Sequence, residues 1–539
     1  MRTRPPLLAA ALTTGLLTAI PAAPTAAAAA RYADDFDGDG YRDVAVGAAN
    51  AVVAGKQTAG AVVVLYGSPS GPSAARRAVI TQNSPGVPGT AAPYDFNGDG
   101  YRDLAIGAPG ATVGGKAKAG AVTVVRGGST GPGTAKYTLL TQNSTGVPDS
   151  AETGDGFGTA VASADLNRDG YADLVVGTPG EDRGGDTDDG MVQVVWGGKT
   201  GLSGSLTLIG GGSDTDRLGQ ALAIGDLDDN GKVDVAAGGR GAVDLTVLQG
   251  PYTRAGGADG GVRAASMANA PKPFDPAYGV EYLSAGDING EGFDSLVVHG
   301  RKKGTDDALT AAADTRVTDF PNWMEYVPGG YVSAVGDVTK DGRADILIGN
   351  HRERSADPSG ALGGRATLVL GAPESQWVNA RSTAAITQGA SGVPGAAESG
   401  DGFGGGVAVG DFTGDGYGDL AVGAPHESFG GAEDTGTVTL LRGTGVGYQP
   451  TGARTLSQST SGVPDGAESG DRFGARVLLS DTTKDGKADP SVGGTGENGG
   501  DGAIWWLKSA TTPGAKSFGP AKFGIPTTGT PAFGAPLRG

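Results

Sequence analysis

The chain has 539 residues, of which 101 are glycine and 31 are proline, and its formal net charge is −18. This acidic balance argues against nucleic acid or an anionic membrane as partner and favours cations or basic partners. The sequence contains no cysteine and only three histidines. Disulfides and thiolate metal sites are therefore excluded, and little room is left for zinc or imidazole chemistry.

Residues 1–30 have the pattern of a secretory signal peptide. Arg2 and Arg4 precede an apolar stretch over residues 7–20, and an alanine-rich run follows it. The apolar stretch is shorter than the roughly 18 residues that a membrane span needs, so a retained anchor is the weaker alternative. We therefore expect the mature chain to be secreted to the extracellular space, with no membrane insertion after signal cleavage.

One acidic, glycine-containing motif of nine residues recurs eight times, and we call it the acid loop. Each copy is followed by a short β-rich run such as VAVGA or LAIGA, then by a Gly/Asp loop and further apolar runs. Spacings of 50 to 74 residues between copies indicate an array of similar supersecondary units. The copies begin at Asp35, Asp95, Asp165, Asp226, Asp287, Asp337, Asp411 and Asp481.

Each repeat contains about four predicted strands separated by turn signals, and no long helical period follows the signal segment. Four antiparallel strands repeated radially are typical of the blades of a β-propeller. We predict one all-β propeller domain of eight repeats over residues 31–539. Eight acid loops favour eight blades, and seven blades with one aberrant repeat is the alternative. An open β-solenoid would need shorter repeats.

The sequence also predicts how the ring closes. Repeat 1 begins at its acid loop and lacks the strand that a Phe-Gly pair opens in other repeats, as at Phe157 and Phe403. The same pair occurs at Phe533, near the C-terminal end of the sequence. We therefore predict that the last segment completes the first blade.

The acid loop places oxygen-bearing side chains at its positions 1, 3, 5 and 9. In the first copy these are Asp35, Asp37, Asp39 and Asp43, and the carbonyl of Tyr41 at position 7 is expected to point inward. Hard oxygen ligands in a flexible loop suit Ca²⁺ better than Mg²⁺. An EF-hand is disfavoured, because it needs a glutamate at position 12 and flanking helices. A turn without metal is the other alternative.

The same positions in all eight copies give the predicted calcium ligands, with the main-chain carbonyl acting at position 7. Loop 5 departs from the pattern at positions 5 and 9, and loops 6 and 8 have threonine at position 3, so weaker binding is expected there. The predicted ligands are Asp35, Asp37, Asp39, Tyr41, Asp43, Asp95, Asn97, Asp99, Tyr101, Asp103, Asp165, Asn167, Asp169, Tyr171, Asp173, Asp226, Asp228, Asn230, Lys232, Asp234, Asp287, Asn289, Glu291, Asp337, Thr339, Asp341, Arg343, Asp345, Asp411, Thr413, Asp415, Tyr417, Asp419, Asp481, Thr483, Asp485, Lys487 and Asp489.

The combination of Phe-Gly, acid loop and Gly-Ala-Pro resembles the FG-GAP repeat of the integrin α-chain N-terminal propeller. Residues 403–404, 411–419 and 423–425 show the whole combination. The resemblance implies calcium in loops that join the first two strands of each blade, with ligand-binding loops on the opposite face. It also implies an extracellular module used for adhesion or recognition. Neither integrin signalling nor the hydrolase of phospholipase D enzymes that carry such repeats is implied.

Three functions stay open. The first is a binding or adhesion module for an unidentified extracellular protein or glycan, without enzymatic activity. The second is an extracellular carbohydrate-active enzyme, a lyase or hydrolase, on a propeller scaffold. The third is a structural protein of the cell envelope. Paired carboxylates such as Glu152 and Asp155 fit general acid–base work, but their repetition favours a structural turn or an accessory cation site.

The loops between the second and third strands are predicted on the face opposite the acid loops. In repeats 3 and 7 they contain Glu181, Asp182, Glu427, Glu433 and Asp434. We expect an exposed acidic rim there that attracts a cationic or metal-bridged ligand. A rim that only keeps the protein soluble is the alternative.

Overall fold

The computed structural model describes residues 32–538 except 33, 54, 56–59, 82–90, 132–136, 212–215, 241–243, 266–273, 303–311, 320–322, 356, 358 and 373–377. The predicted signal segment lies outside the described residues. Within them the chain is almost entirely β. The helices are single turns at Glu497–Gly500, Lys508–Ala510 and Pro520–Phe523, and none has the length and hydropathy of a membrane-spanning helix.

The described strands form eight sheets of four antiparallel strands, so the predicted eight-bladed β-propeller is confirmed. Blade 1 contains β1 (Val44–Ala48), β2 (Ala61–Leu65), β3 (Arg77–Thr81) and β34 (Phe533–Arg538). Blade 2 contains β4 (Ala91–Tyr94), β5 (Asp103–Ala108), β6 (Ala121–Val125) and β7 (Tyr137–Leu140), and blade 3 contains β8 (Ala160–Ala164), β9 (Asp173–Thr178), β10 (Met191–Val195) and β11 (Ser205–Gly210). Blade 4 contains β12 (Ala221–Gly225), β13 (Asp234–Gly238), β14 (Leu245–Gln249) and β17 (Gly261–Ala265), with a small hairpin of β15 (Tyr252–Thr253) and β16 (Gly257–Ala258).

The remaining four blades follow the same order. Blade 5 contains β18 (Val280–Gly286), β19 (Ser295–Arg301), β20 (Ala313–Asp319) and β21 (Trp323–Val327), and blade 6 contains β22 (Val332–Gly336), β23 (Asp345–Asn350), β24 (Arg365–Gly371) and β25 (Val378–Ile386). Blade 7 contains β26 (Gly406–Gly410), β27 (Asp419–Ala424), β28 (Thr437–Thr444) and β29 (Gly447–Leu456). Blade 8 contains β30 (Phe473–Ser480), β31 (Asp489–Gly494), β32 (Ala503–Trp506) and β33 (Lys516–Phe518).

The two middle strands of a blade are its most apolar. In blade 2, β5 and β6 are buried along their whole length, whereas the fourth strand, β7, is largely exposed. A strand that is covered on both faces has a continuous apolar run instead of an alternating pattern. The short runs that follow each acid loop have this character.

The hydrophobic core is divided among the junctions between blades. Eight clusters of buried side chains each join two neighbouring blades, and together they cover all eight junctions. The junction of blades 8 and 1, for example, packs Trp506 and Phe533 against Val46. Because each blade buries its two faces against two neighbours, the closed ring is the unit of stability.

The ring closes through the C-terminal segment, as predicted. Strand β34 pairs antiparallel with β1, and Val46 lies opposite Leu537. This strand supplies the position that repeat 1 lacks in its own sequence. Blade 1 is therefore built from both ends of the described chain.

The Phe-Gly pair connects neighbouring blades. The N–H of Phe157 donates to the carbonyl of Ala119 in the preceding blade at 3.0 Å, and the ring is fully buried. The next residue, Gly158, has a φ of +86°, and a Cβ there would lie 2.8 Å from Cγ2 of Val122. Only glycine fits this close approach without strain. Equivalent buried side chains are Leu218, Phe403, Phe473 and Phe533.

Candidate metal centres in the acid loops

In blades 2 to 8 the acid loop joins the first and second strands, and loop 1 leads into β1, the second strand of blade 1, so the loops form a ring on one face of the propeller. Adjacent loops are hydrogen-bonded to each other. The N–H of the residue at position 8 donates to the carbonyl of the position-1 aspartate in the preceding loop. This bond joins Ala172 to Asp95, Asp294 to Asp226, Ala344 to Asp287, Gly418 to Asp337 and Ala488 to Asp411, at 2.7 to 3.1 Å.

The aspartate at position 1 curls its own loop. In all eight loops its Oδ2 accepts the N–H of the residue at position 6, a glycine. In loop 1 this bond joins Gly40 to Asp35 at 3.0 Å. The N–H of Tyr41 at position 7 then donates to Oδ1 of Asp39 at 3.0 Å. The loop is therefore held in a tight turn by the carboxylates that are predicted to bind the cation.

The aspartate at position 9 fixes the loop to the sheet. In loop 2, Asp103 is buried, and its Oδ2 accepts the N–H of Phe96 at 3.0 Å. Its Oδ1 accepts the N–H of Gly127, just beyond the third strand, at 2.8 Å. The same two-sided arrangement recurs at Asp43, Asp173, Asp234, Asp345, Asp419 and Asp489.

Loop 5 differs because Ser295 takes position 9. The residue is buried and begins β19. A serine hydroxyl has one oxygen in place of the two carboxylate oxygens, so the two-sided bridge cannot form there. The sequence-based expectation that loop 5 departs from the pattern is consistent with this geometry.

Two loops bring three carboxylates together among the residues that the structure describes. The oxygens of Asp35, Asp37 and Asp39 lie within 4.8 Å of one another in loop 1. Loop 4 contains the other set, Asp226, Asp228 and Asp234. Of the ligands predicted for loop 1, Asp43 is outside this closest set and serves as the bridge to the sheet.

The donor atoms of the acid loops fit a hard cation. Several buried oxygens there have no hydrogen-bond partner: Oδ1 of Asp35, Oδ1 of Asp228, and the hydroxyls of Thr339 and Thr483. A buried oxygen without a partner costs free energy, and a bound cation removes that cost. Oxygen is the ligand type that Ca²⁺ prefers, so the side chains at positions 1, 3 and 5 would hold it in loop 1, and those at positions 1, 3 and 9 in loop 4.

Side chains from elsewhere in the fold also reach these carboxylates. Nη2 of Arg76 lies 2.8 Å from Oδ2 of Asp37 and 2.9 Å from Oδ2 of Asp39. In loop 3, Arg254 pairs with Asp169 at 2.9 Å. The repeat pattern gives no signal for either arginine, because each lies between the third and fourth strands of a blade, far along the chain from the loop that it contacts.

Burial and mutual repulsion raise the pKa values of several carboxyl groups in the acid loops. Burial, together with the nearby charge of Asp39, raises the pKa of Asp37 to about 6. Burial also raises the pKa of Asp103 to about 7, although the two N–H donors oppose this effect. Crowded carboxylates of this kind gain from a positive partner, whether a cation or an arginine.

The residues at position 7 use their side chains to contact the neighbouring loop. A Cβ on Gly38 would lie 2.9 Å from Cε1 of Tyr101, and one on Gly98 would lie 2.7 Å from the equivalent atom of Tyr171. Glycine at position 4 thus makes room for the next loop's tyrosine. The predicted role of the position-7 carbonyls as ligands stays a prediction.

On the opposite face, the expectation that Glu181 lies on an exposed rim is wrong. Its side chain is buried and accepts a hydrogen bond from Gln142 of the preceding blade. Asp182 and Glu433 are exposed, as expected. Asp155 accepts the N–H of Glu152, so this pair of carboxylates forms a structural turn.

Comparison with known proteins identifies the repeat. The FG-GAP repeat family matches residues 32–65, 87–125, 157–195, 329–363 and 403–441, which lie in blades 1, 2, 3, 6 and 7. Blades 4, 5 and 8 have the same four-stranded sheet although they fall outside these matches.

Relatives share part of the chain. Phosphatidylinositol-glycan-specific phospholipase D from Rattus norvegicus is 34% identical over 173 residues, which are 32% of this chain and 19% of that protein. Integrin alpha pat-2 from Caenorhabditis elegans is 34% identical over 229 residues, 39% of this chain and 18% of that protein. The chain thus spans about a fifth of the length of these relatives.

Among solved structures, the Dos1 propeller aligns with 80% of this chain and 83% of its own, at 10% identity and a TM-score of 0.43. The Phe-Gly connections, the ring of acid loops and the matched repeats agree with one another. The chain thus contains five FG-GAP repeats within an eight-bladed β-propeller, and part of it is similar to integrin alpha.

Proposed function

We propose that this chain is an exported, calcium-stabilised binding or adhesion module. The observation that carries the proposal is the ring of eight acid loops on one face, with buried carboxylate and hydroxyl oxygens that lack partners. The basic n-region and apolar stretch of residues 1–30 support export. Chains without cysteine need another source of stability outside the cell, and bound cations supply it.

The main effect of bound calcium would be to stabilise the folded structure of each blade. The carboxylates at positions 1, 3 and 5 repel one another when ionised, and a bound Ca²⁺ would neutralise them. The position-9 aspartate bonds to the main chain on both sides of its loop, as Asp103 does with Phe96 and Gly127. An ion held in the loop would therefore stabilise the connection between the first three strands of a blade.

The ligand-binding surface is proposed on the face opposite the acid loops. Asp182 and Glu433 are exposed there, and Asp434 lies 3.2 Å from Nδ1 of His426. Exposed carboxylates on one sector would attract a cationic or metal-bridged ligand, an extracellular protein or glycan, and speed its association. Burial of Glu181 removes that residue from the proposed surface.

Binding is favoured over catalysis because of where the paired carboxylates lie. A glycosidase needs both carboxyl groups open to the substrate. Asp155 is 1% exposed and its carboxylate holds the turn at Glu152. The pair therefore lacks the access that acid–base work on a sugar requires.

The test is a screen of glycan and extracellular-matrix protein arrays with purified protein in Ca²⁺ and in EDTA. We expect binding to at least one array component that needs Ca²⁺. Asp182→Asn and Glu433→Gln should each weaken it, and the matched control Asp259→Asn, at an exposed position outside the acid loops, should not. A ligand bound equally well by both variants would place the site elsewhere, and hydrolysis or cleavage of an arrayed glycan would favour the enzyme.

A further inference from the structure

Three blade junctions on the face opposite the acid loops share a glutamine–glutamate pair, which is buried at two of them and partly buried at the third. The glutamine follows the fourth strand of one blade, and the glutamate lies between the second and third strands of the next. Nε2 of Gln458 donates to Oε2 of Glu497 at 2.7 Å. The same atoms join Gln142 to Glu181 and Gln388 to Glu427, and 39 residues separate the partners in every case.

An aspartate is the third member of each group. Asp155, Asp401 and Asp471 precede the Phe-Gly or equivalent pair of their blades and are 1–3% exposed. One oxygen of each accepts a main-chain N–H, as from Glu398 to Asp401 at 2.7 Å. The N–H of the residue before each glutamate donates to the carbonyl of the aspartate, as from His426 to Asp401 at 2.9 Å, so the glutamate and the aspartate of each group are neighbours.

Each glutamine amide has a hydrogen-bond partner for its nitrogen but none for its oxygen among the described residues. Gln142, Gln388 and Gln458 are 1%, 3% and 2% exposed, and in all three the amide oxygen Oε1 has no hydrogen-bond partner among the described residues. Because a buried polar atom without a partner destabilises the fold, three equivalent copies are not expected by chance. The amide nitrogen is held by the glutamate, which keeps the unpartnered oxygen beside the two carboxyl groups.

Blades 1 and 2 lack this group of side chains and can be compared with the blades that have it. In blades 1 and 2 the position of the glutamate is taken by Ala51 and Ala111, both buried. The Glu-x-Gly-Asp turn is missing from the same place in repeat 2, where the sequence reads Thr-Ala-Ala-Pro. In repeat 2 the glutamate and the aspartate are therefore both absent.

We propose that these three junctions are a second set of cation sites, each binding one oxygen-preferring divalent ion such as Ca²⁺. The glutamine oxygen and the glutamate and aspartate carboxylates would be the protein ligands, with the amide oxygen in the place of a third carboxylate. Each site joins two neighbouring blades, whereas each acid loop lies within one blade. Ions bound here would therefore stabilise the packing of blade on blade.

The first experiment counts bound ions. Purified full-length protein, stripped with chelator, is dialysed against Ca²⁺ at pH 8, and the bound calcium is measured by elemental analysis. The variant Glu181→Gln, Glu427→Gln, Glu497→Gln should bind up to three ions fewer than wild type. The control Asp259→Asn, Glu281→Gln, Glu325→Gln also removes three negative charges, outside these groups, the acid loops and the proposed ligand-binding surface, and should keep the full count.

The competing explanation is that the buried glutamates are protonated and bind no metal. In that case the triple glutamine variant, which mimics the protonated form, keeps the wild-type count, and the proposal is overturned. If the triple variant does not fold, Glu427→Gln alone is used, because Glu427 is the least buried of the three. Loss of one ion supports the proposal, and an unchanged count refutes it.

A spectroscopic signal tests one junction separately. Trp505 packs in the cluster that includes Val463, and its Nε1 donates to the carbonyl of Pro464 in the turn that follows Gln458. Tb³⁺ in this junction should therefore be sensitised by excitation of Trp505. Glu497→Gln should remove this component, and Trp505→Phe should remove it while the ion count stays unchanged. Tryptophan-sensitised emission unaffected by Glu497→Gln would contradict a site at this junction.

Discussion

Ala48 in β1 lies directly opposite Phe533 in β34, so residues from the two ends of the described chain are neighbours in one sheet. The N–H of Phe533 donates to the carbonyl of Asp501 at 2.9 Å, and its ring lies 5.6 Å from that of Phe523. One aromatic residue thus connects blade 8 to blade 1.

Deleting residues 530–539 should open the ring. The edge of β1 and the cluster at the junction of blades 8 and 1 would be exposed, which promotes aggregation. Phe533→Ala should cost about 3–5 kcal/mol of unfolding free energy, and Phe533→Leu clearly less. Size-exclusion chromatography and thermal unfolding measure both effects. A truncated protein that stays monomeric at wild-type stability would contradict this closure.

Removing calcium should lower the melting temperature by many degrees. An ion present at about 100 times its Kd adds roughly 2.7 kcal/mol to the folded state, and several sites act together. Asp99 in loop 2 offers a charged carboxylate to the ion, whereas Thr483 in loop 8 offers a neutral hydroxyl, so Asp99→Ala should abolish more of the calcium-dependent stabilisation than Thr483→Ala. Melting curves in Ca²⁺ and in EDTA give the comparison. Identical curves, with the metal shown to be removed, would disprove it.

Replacing Arg76 should tighten calcium binding in loop 1. Its guanidinium pairs with Asp37 and Asp39 and competes with an ion there. The arginine is about half exposed, so the gain should be modest, about 1 kcal/mol or roughly fivefold in affinity. Calorimetric titration of Arg76→Ala against Arg77→Ala, an exposed neighbour on β3, measures it. Superimposable isotherms for the two variants would show that Arg76 does not compete.

Removing a position-9 aspartate should destabilise its blade even without calcium. In Asp103→Ala the buried N–H groups of Phe96 and Gly127 lose their acceptor. Each loss costs about 1–3 kcal/mol, so a decrease of roughly 2–6 kcal/mol is expected, with Asp103→Asn in between. Chemical denaturation in EDTA isolates this effect from metal binding. A loss seen only in the presence of Ca²⁺ would assign Asp103 to metal binding alone.

Acid should destabilise blade 5 through His299. The imidazole is buried, with Nδ1 3.2 Å from the carbonyl of Gly330 and Nε2 2.9 Å from the hydroxyl of Ser333, and burial lowers its pKa to about 4. Because the unfolded pKa is about 6.5, the folded state binds the proton less readily. Stability from this group is complete above pH 6.5 and is lost as the pH falls towards 4.

The size of this effect is on the order of 3 kcal/mol. The difference in unfolding free energy between wild type and His299→Gln should therefore shrink between pH 6.5 and pH 4. His426→Gln, at a partly exposed position, is the control. A difference that is constant over this range would mean that His299 titrates normally in the folded protein.

Much of this architecture can be predicted from the sequence, because each repeat unit forms from residues that are close together in the chain. Strand runs, turn glycines and the acid loop recur at a regular spacing, and a strand–loop–strand unit needs only nearby residues to form. The closure of the ring was predictable too, because Phe533 repeats a Phe-Gly signal that repeat 1 lacks. These features depend on patterns that a single repeat already contains.

Contacts between repeats, in contrast, were determined only by the tertiary structure. Glu181 has the sequence context of an exposed loop, yet it is buried because Gln142 of the preceding blade covers it. Arg76 reaches Asp37 across the blade, 39 residues away in sequence. Burial and ion pairing depend on which segments the closed ring brings together, and the pattern within one repeat does not contain that information. The physical reason is that the faces of each blade are buried, and several of its side chains are paired, only by contact with the neighbouring blades.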